Sequence, residues 1–164
     1  MPNKTQSILL GAAVSVVLGT VLAFIAYSGG TAGMMLGGCG GCLVAFVGPV
    51  VAVWHYTSTN RLTIPAGAGA GLGAITGVAG AALSWLVTFV LRAVGVFPTA
   101  EEWQRQTQEM FGAEGAAMPA AGGSFFSSPV GELVVGLLVG AIVGAIGGAI
   151  AAAIFKKGTA TDEV

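Results

Sequence analysis

Few side chains in this sequence could do chemistry, and their spacing decides what kind. Cys39-Gly40-Gly41-Cys42 has the C-x-x-C spacing of dithiol redox motifs. It lies inside a long apolar stretch, where a thiol stays protonated and unreactive, so the sequence reads as two small packing residues. Two cysteines also fall short of a disulfide framework or a four-ligand zinc site. Leu36-Gly37-Gly38-Cys39 resembles a lipoprotein box, but apolar residues continue beyond it and no basic residue closely precedes it. His55 is the only histidine, with no carboxylate or thiol near it in sequence. Its position between Trp54 and Tyr56 suggests hydrogen bonding at a membrane boundary rather than metal binding. Arg92 and Glu132 are the ionisable residues near the ends of otherwise uncharged stretches. Charges at membrane depth find partners or mark a pathway, so the pair is expected to be structural, with a substrate or proton site as the alternative. There is no nucleophile–base arrangement, no carboxylate dyad, and no glycine spacing of the P-loop or Rossmann kind. The expectation is therefore no enzyme, with no catalytic, cofactor-binding or metal-ligating residues.

The elements that hold these residues follow from where charge is missing. Of the 164 residues, 55% are apolar and 8% charged, against about 25% charged in an ordinary soluble domain. No Asp, Glu, Lys or Arg occurs between Lys4 and Arg61, between Arg61 and Arg92, or between Glu132 and Lys156. A helix needs about 20 largely apolar residues to cross the hydrocarbon core. The first gap holds two crossings and a turn, and the other two hold one each. The expected fold is all-α: a single membrane domain over 1–164 with spans near 8–27, 33–54, 64–94 and 129–155. A cleaved signal peptide is the rival reading of the first span. Its apolar run is longer than the ~7–15 residues of a signal h-region, and no clean cleavage site follows. Pro49 inside the second span predicts a kink.

The loop over 97–128 is the one sizeable segment outside the membrane. Thr99-Ala100-Glu101-Glu102 has the spacing of a capping box, so a short helix to about Phe111 should follow. Trp103, Met110 and Phe111 would form its apolar stripe. Net charge is −1, which implies no nucleic-acid partner. With the N-terminus inside, Lys4, Arg61, Lys156 and Lys157 are cytoplasmic, while Arg92 and Arg105 face out. The positive-inside rule therefore favours cytoplasmic N- and C-termini in the cell (inner) membrane.

The strongest pattern is a small residue at every fourth position, the regularity of a glycine zipper. Gly136, Gly140, Gly144 and Gly148 form an unbroken row in the fourth span. Gly69, Gly73, Gly77 and Ala81 repeat it in the third, and Gly33, Gly37, Gly41 and Ala45 in the second. The first carries Gly11, Ser15, Gly19 and Ala23. Small residues at this spacing let two helix backbones approach and favour right-handed crossings near −40°. The fourth-span row is expected to receive another helix, with the third-span row as partner. LGAITGVAGAAL at 72–83 also resembles VGAIVGAIGGAI at 139–150. Antiparallel spans of an inverted repeat would look like this, as would shared packing chemistry in a Gly/Ala-rich alphabet.

Gly48-Pro49-Val50-Val51-Ala52-Val53-Trp54, the following His55-Tyr56 and the Gly69 to Gly80 row resemble uncharacterised four-helix bacterial membrane proteins, over residues 33–84. The resemblance implies the fold and carries no activity with it. Three functions then compete. One is a helix-packing or interaction protein, an accessory subunit or homo-oligomer whose partners are the bilayer and other membrane subunits. The alternative is a small transporter or channel component, for which Pro49, Arg92 and Glu132 would matter. A membrane enzyme is the third and least supported.

Overall fold

The computed structural model describes residues 3–99, 101–103, 105–106, 108–109 and 128–156. The chain is all-helical around four long helices: α1 Lys4–Ser28, α2 Gly30–Asn60, α3 Ala66–Ala93 and α4 Pro129–Ile154. Each is long and apolar enough to cross a membrane, and together they have the architecture of a multi-pass membrane protein. Among the described residues, twenty-seven large apolar side chains are exposed, including Phe24, Leu43, Phe89, Ile142 and Ile154. A lipid-facing surface makes that arrangement stable, since lipid tails are as apolar as the side chains they meet.

The helix ends depart from the expected spans for identifiable reasons. Helix α1 begins at Lys4 because Asn3 caps it, its side chain accepting the Thr5 amide at 2.9 Å. A single residue, Gly29, separates α1 from α2. Gly30, the first residue of α2, adopts φ +57°, a conformation that costs glycine least because it has no Cβ. Helix α2 continues past Trp54, near which the expected span ends, to Asn60. Polar side chains there bond back to their own helix: Thr57 Oγ1 donates to the Val53 carbonyl at 3.0 Å and Asn60 Nδ2 to the Tyr56 carbonyl at 2.8 Å. Arg61 closes α2 in the left-handed region, where its amide and that of Leu62 both donate to the Thr57 carbonyl. At the start of α4, Ser128 Oγ accepts the Gly131 amide at 3.1 Å, with Pro129 in the first turn.

Consecutive helices pair: α1 with α2, and α3 with α4. The pairs join through α1–α3, α2–α4 and α2–α3 contacts, while α1 and α4 scarcely touch. The cross-section is therefore a rhombus whose short diagonal is α2–α3. Small residues permit that diagonal. A Cβ on Gly11 would meet the Gly48 carbonyl at 2.5 Å, Ala52 Cβ at 2.8 Å and Thr76 Cγ2 at 2.8 Å, so α1, α2 and α3 converge there. Gly147 packs α4 on Phe46 and Pro49 of α2. A core of Val53, Tyr56, Ile64, Leu72, Ala151 and Ala152 fills the end of the bundle near the α2–α3 connection.

In the extramembrane segment, residues 101–103, 105–106 and 108–109 are helical. The capping box forms: the Thr99 amide donates to Glu102 Oε2 at 2.8 Å, and the Glu102 amide to Thr99 Oγ1 at 3.3 Å. Trp103 meets Tyr27 edge-on at 4.9 Å between ring centroids, which docks this helix on the end of α1. Met110 and Phe111, the remainder of the expected stripe, lie outside the described residues.

Candidate functional site: small-residue contacts, a membrane gap and an ion pair

The glycine rows of α3 and α4 face each other and run antiparallel. Gly69 lies against Gly148, Gly73 against Gly144 and Gly77 against Gly140. Each contact is backbone on backbone. A Cβ on Gly69 would sit 2.5 Å from the Gly148 carbonyl oxygen, and one on Gly140 would sit 2.7 Å from that of Gly77. Glycine in a helix costs about 1 kcal/mol relative to alanine in water. In lipid the backbone has no alternative hydrogen-bond partners, so the helices persist and gain dispersion and Cα–H···O contacts along the seam. The Gly73–Gly144 and Gly77–Gly140 contacts interchange when segment 72–83 is matched to 139–150. The local two-fold ends there, since Gly69 is packed whereas nothing lies within 4 Å of a Cβ built on its counterpart Gly136.

In α2 the contact line drifts off the expected row. Gly33 and Gly37 pack on the Ile25 carbonyl and on Ala26, but the line continues through Gly40 against Leu22 and Gly48 against Ser15. Gly41 has no neighbour within 4 Å. An exact four-residue step winds slowly around a 3.6-residue helix, so a long straight partner leaves the row and meets the adjacent one. Gly41 and Gly136 instead line a gap of about 350 Å³ between all four helices, with Gly19 and Ala23 of α1 and Ala81 of α3. Ser15 and Ser84 are the polar side chains on its wall.

Arg92 and Glu132 come together at the end of the bundle away from the core. Arg92 Nη1 donates to Glu132 Oε2 at 2.9 Å, both side chains being about one-third exposed or less. Tyr27 also engages Arg92, and its ring stacks at an angle on Phe97, 4.6 Å between centroids. Trp85 Nε1, two turns before Arg92, donates to the Pro129 carbonyl at 3.1 Å and also ties α3 to the start of α4. The pair is thus one member of a polar and aromatic clasp holding α1, α3, α4 and the loop helix.

His55 has a partner in space that the sequence did not disclose. Its Nδ1 is 2.9 Å from Ser7 Oγ, which fastens the first turns of α1 to α2. Ser7 sits inside a polar run of α1, so spacing gave no signal for it. Cys39 and Cys42 are free thiols on the exposed surface of α2. Among the described residues no group of three or more His, Cys, Asp or Glu could hold a metal ion. No family model, curated protein or solved structure matches the chain.

Proposed function

We propose that this protein works by interaction within the bacterial inner membrane, as an accessory subunit or a homo-oligomer, without an enzymatic reaction of its own. The observation that carries this reading is the gap lined by Gly41 and Gly136. The small-residue row of α4 continues past its last contact with α3, and with Gly41 of α2 it leaves room between the helices that a side chain of a further chain or an acyl chain would fill. Transport is supported less well. A solute or ion path at membrane depth needs polar or charged groups, and Ser15 and Ser84 are a sparse set. The likeness of residues 33–84 to four-helix bacterial membrane proteins agrees with this reading, as does the absence of a catalytic constellation in the sequence. The charge bias of the sequence favours cytoplasmic N- and C-termini.

Copurification of the unmodified chain from native membranes tests the proposal. A discrete partner or second copy should accompany the wild type, and Gly136→Leu should release it while leaving the thermal stability of the isolated chain unchanged. A chain that purifies alone and is stabilised by a small solute would instead establish transport.

A further inference from the structure

At the opposite end of the bundle from the ion pair, the separation of α1 from α4 leaves a second and larger opening. Its volume is about 1180 Å³, above the ~300–1,000 Å³ usual for small-molecule pockets. One wall is α1, through Ile8, and the other is the end of α4, through Ala152 and Ala153. The N-terminal half of α3 forms the floor, through Leu72 and Ile75. One exposed lysine stands on each wall at the mouth: Lys4 in the first turn of α1 and Lys156 just beyond α4. Among the described residues no carboxylate lines the opening.

We propose that this cleft binds one acidic phospholipid, its phosphate between the Lys4 and Lys156 ammonium groups and an acyl chain along Ile8, Leu72 and Ile75. Charge complementarity and depth together carry the assignment. The two cations lie at the ends of membrane-crossing helices, where headgroup phosphates lie, and the apolar floor runs inward from them as an acyl chain does. A small soluble anion would use the lysines and leave the apolar floor empty, while a zwitterionic lipid would leave the lysines without net charge to meet. The Tyr56 ring lies beneath the same cation, its centroid 5.9 Å from Lys4 Nζ. Helix α3 begins beside the mouth with no side-chain cap, so the positive end of its dipole adds to the same field. The site is independent of the partner surface proposed above, which lies on a different set of residues.

The test is thermal unfolding of the full-length protein in neutral detergent, titrated with phosphatidylglycerol, with phosphatidylcholine of the same chains, or with inorganic phosphate. A ligand that binds the folded form raises the midpoint in proportion to its affinity. Each lysine near a lipid surface is worth about five-fold, so the wild type should prefer phosphatidylglycerol by roughly thirty-fold. The double variant Lys4→Gln/Lys156→Gln should lose that preference and bind both lipids alike, while Arg105→Gln at the far end should retain it. Ile75→Trp, at a half-exposed position, should weaken both lipids by blocking the floor. Equal stabilisation by the two lipids in the wild type would overturn the proposal, as would a preference surviving in the double variant. Protection by inorganic phosphate equal to that by phosphatidylglycerol would overturn the lipid assignment, and unaltered lipid binding by Ile75→Trp would overturn its placement.

Discussion

A methyl group added at Gly144 would overlap the carbonyl of Gly73, and the same group at Gly136 would meet nothing. Two glycines in one row, eight residues apart, therefore have opposite tolerance. Gly144→Leu is expected to destabilise the folded chain by about 1–3 kcal/mol through overpacking against backbone that cannot move aside. Gly136→Leu should be neutral within about 0.5 kcal/mol in the isolated chain. Thermal unfolding of both variants in the same detergent decides the point, and equal losses would show that the α3–α4 seam is not where close approach matters. Arg92 and Glu132 illustrate a different kind of residue-level constraint. Their separation of 40 positions in sequence closes to a 2.9 Å hydrogen bond, because antiparallel helices joined by a long loop return the end of one beside the start of the next.

At the scale of elements, each helix is specified by its ends as much as by its apolar body. Asn3, Ser128 and Thr99 each satisfy an amide that would otherwise be orphaned at a helix start. The loop helix lacks a membrane to enforce it, so its cap matters most. The Thr99 backbone amide, then its hydroxyl, hydrogen-bond the Glu102 carboxyl and hold its pKa below the ordinary carboxylate value, with Arg105 assisting. A depressed folded-state pKa means that the carboxylate's stabilisation is fully present above the unfolded-state value and is lost as pH falls through the lower folded-state one. Amide exchange at Trp103 and Arg105 should therefore accelerate relative to intrinsic rates on acidification through that range. Thr99→Ala should produce an acceleration of about five-fold already at neutral pH. Identical protection in the variant and the wild type at neutral pH would mean that docking of Trp103 on Tyr27 alone holds the helix.

For the whole molecule, the rhombic cross-section gives two openings with different chemistry: one small, uncharged and lined by glycine within the bundle, the other larger and bordered by lysines at one end. The proposal that the lysine-bordered end faces the cytoplasm rests on Lys4, Arg61, Lys156 and Lys157 opposing Arg92 and Arg105 in the sequence. Single cysteines read it out in a background lacking Cys39 and Cys42. Thr57 is fully buried and would not react, so Thr59, Gln106 and Lys156, all exposed, are the sites to substitute. An impermeant thiol reagent on intact cells should label the cysteine at 106 and spare those at 59 and 156. Labelling of the latter two instead would reverse the orientation.

The sequence by itself determined the number and approximate placement of the helices, because charge-free stretches of membrane-crossing length have one stable outcome in lipid. It also determined the capping box, whose partners lie three residues apart and need no tertiary information. It located helix ends less well: hydropathy marks where apolar surface stops, whereas Thr57 and Asn60 continue α2 by bonding to its own carbonyls. Which glycines touch a neighbour was decided by the tertiary structure alone. Gly33, Gly37 and Gly41 look equivalent in sequence, as do Gly136, Gly140, Gly144 and Gly148, yet Gly41 and Gly136 face a gap while the others meet protein. Spacing fixes which side of a helix is smooth, but the crossing of two straight rods fixes how far along that side they remain in contact. The lysine-bordered cleft was beyond the sequence for the same reason. Lys4 and Lys156 stand at opposite ends of the chain, and only the failure of α1 to pack on α4 sets them across one opening.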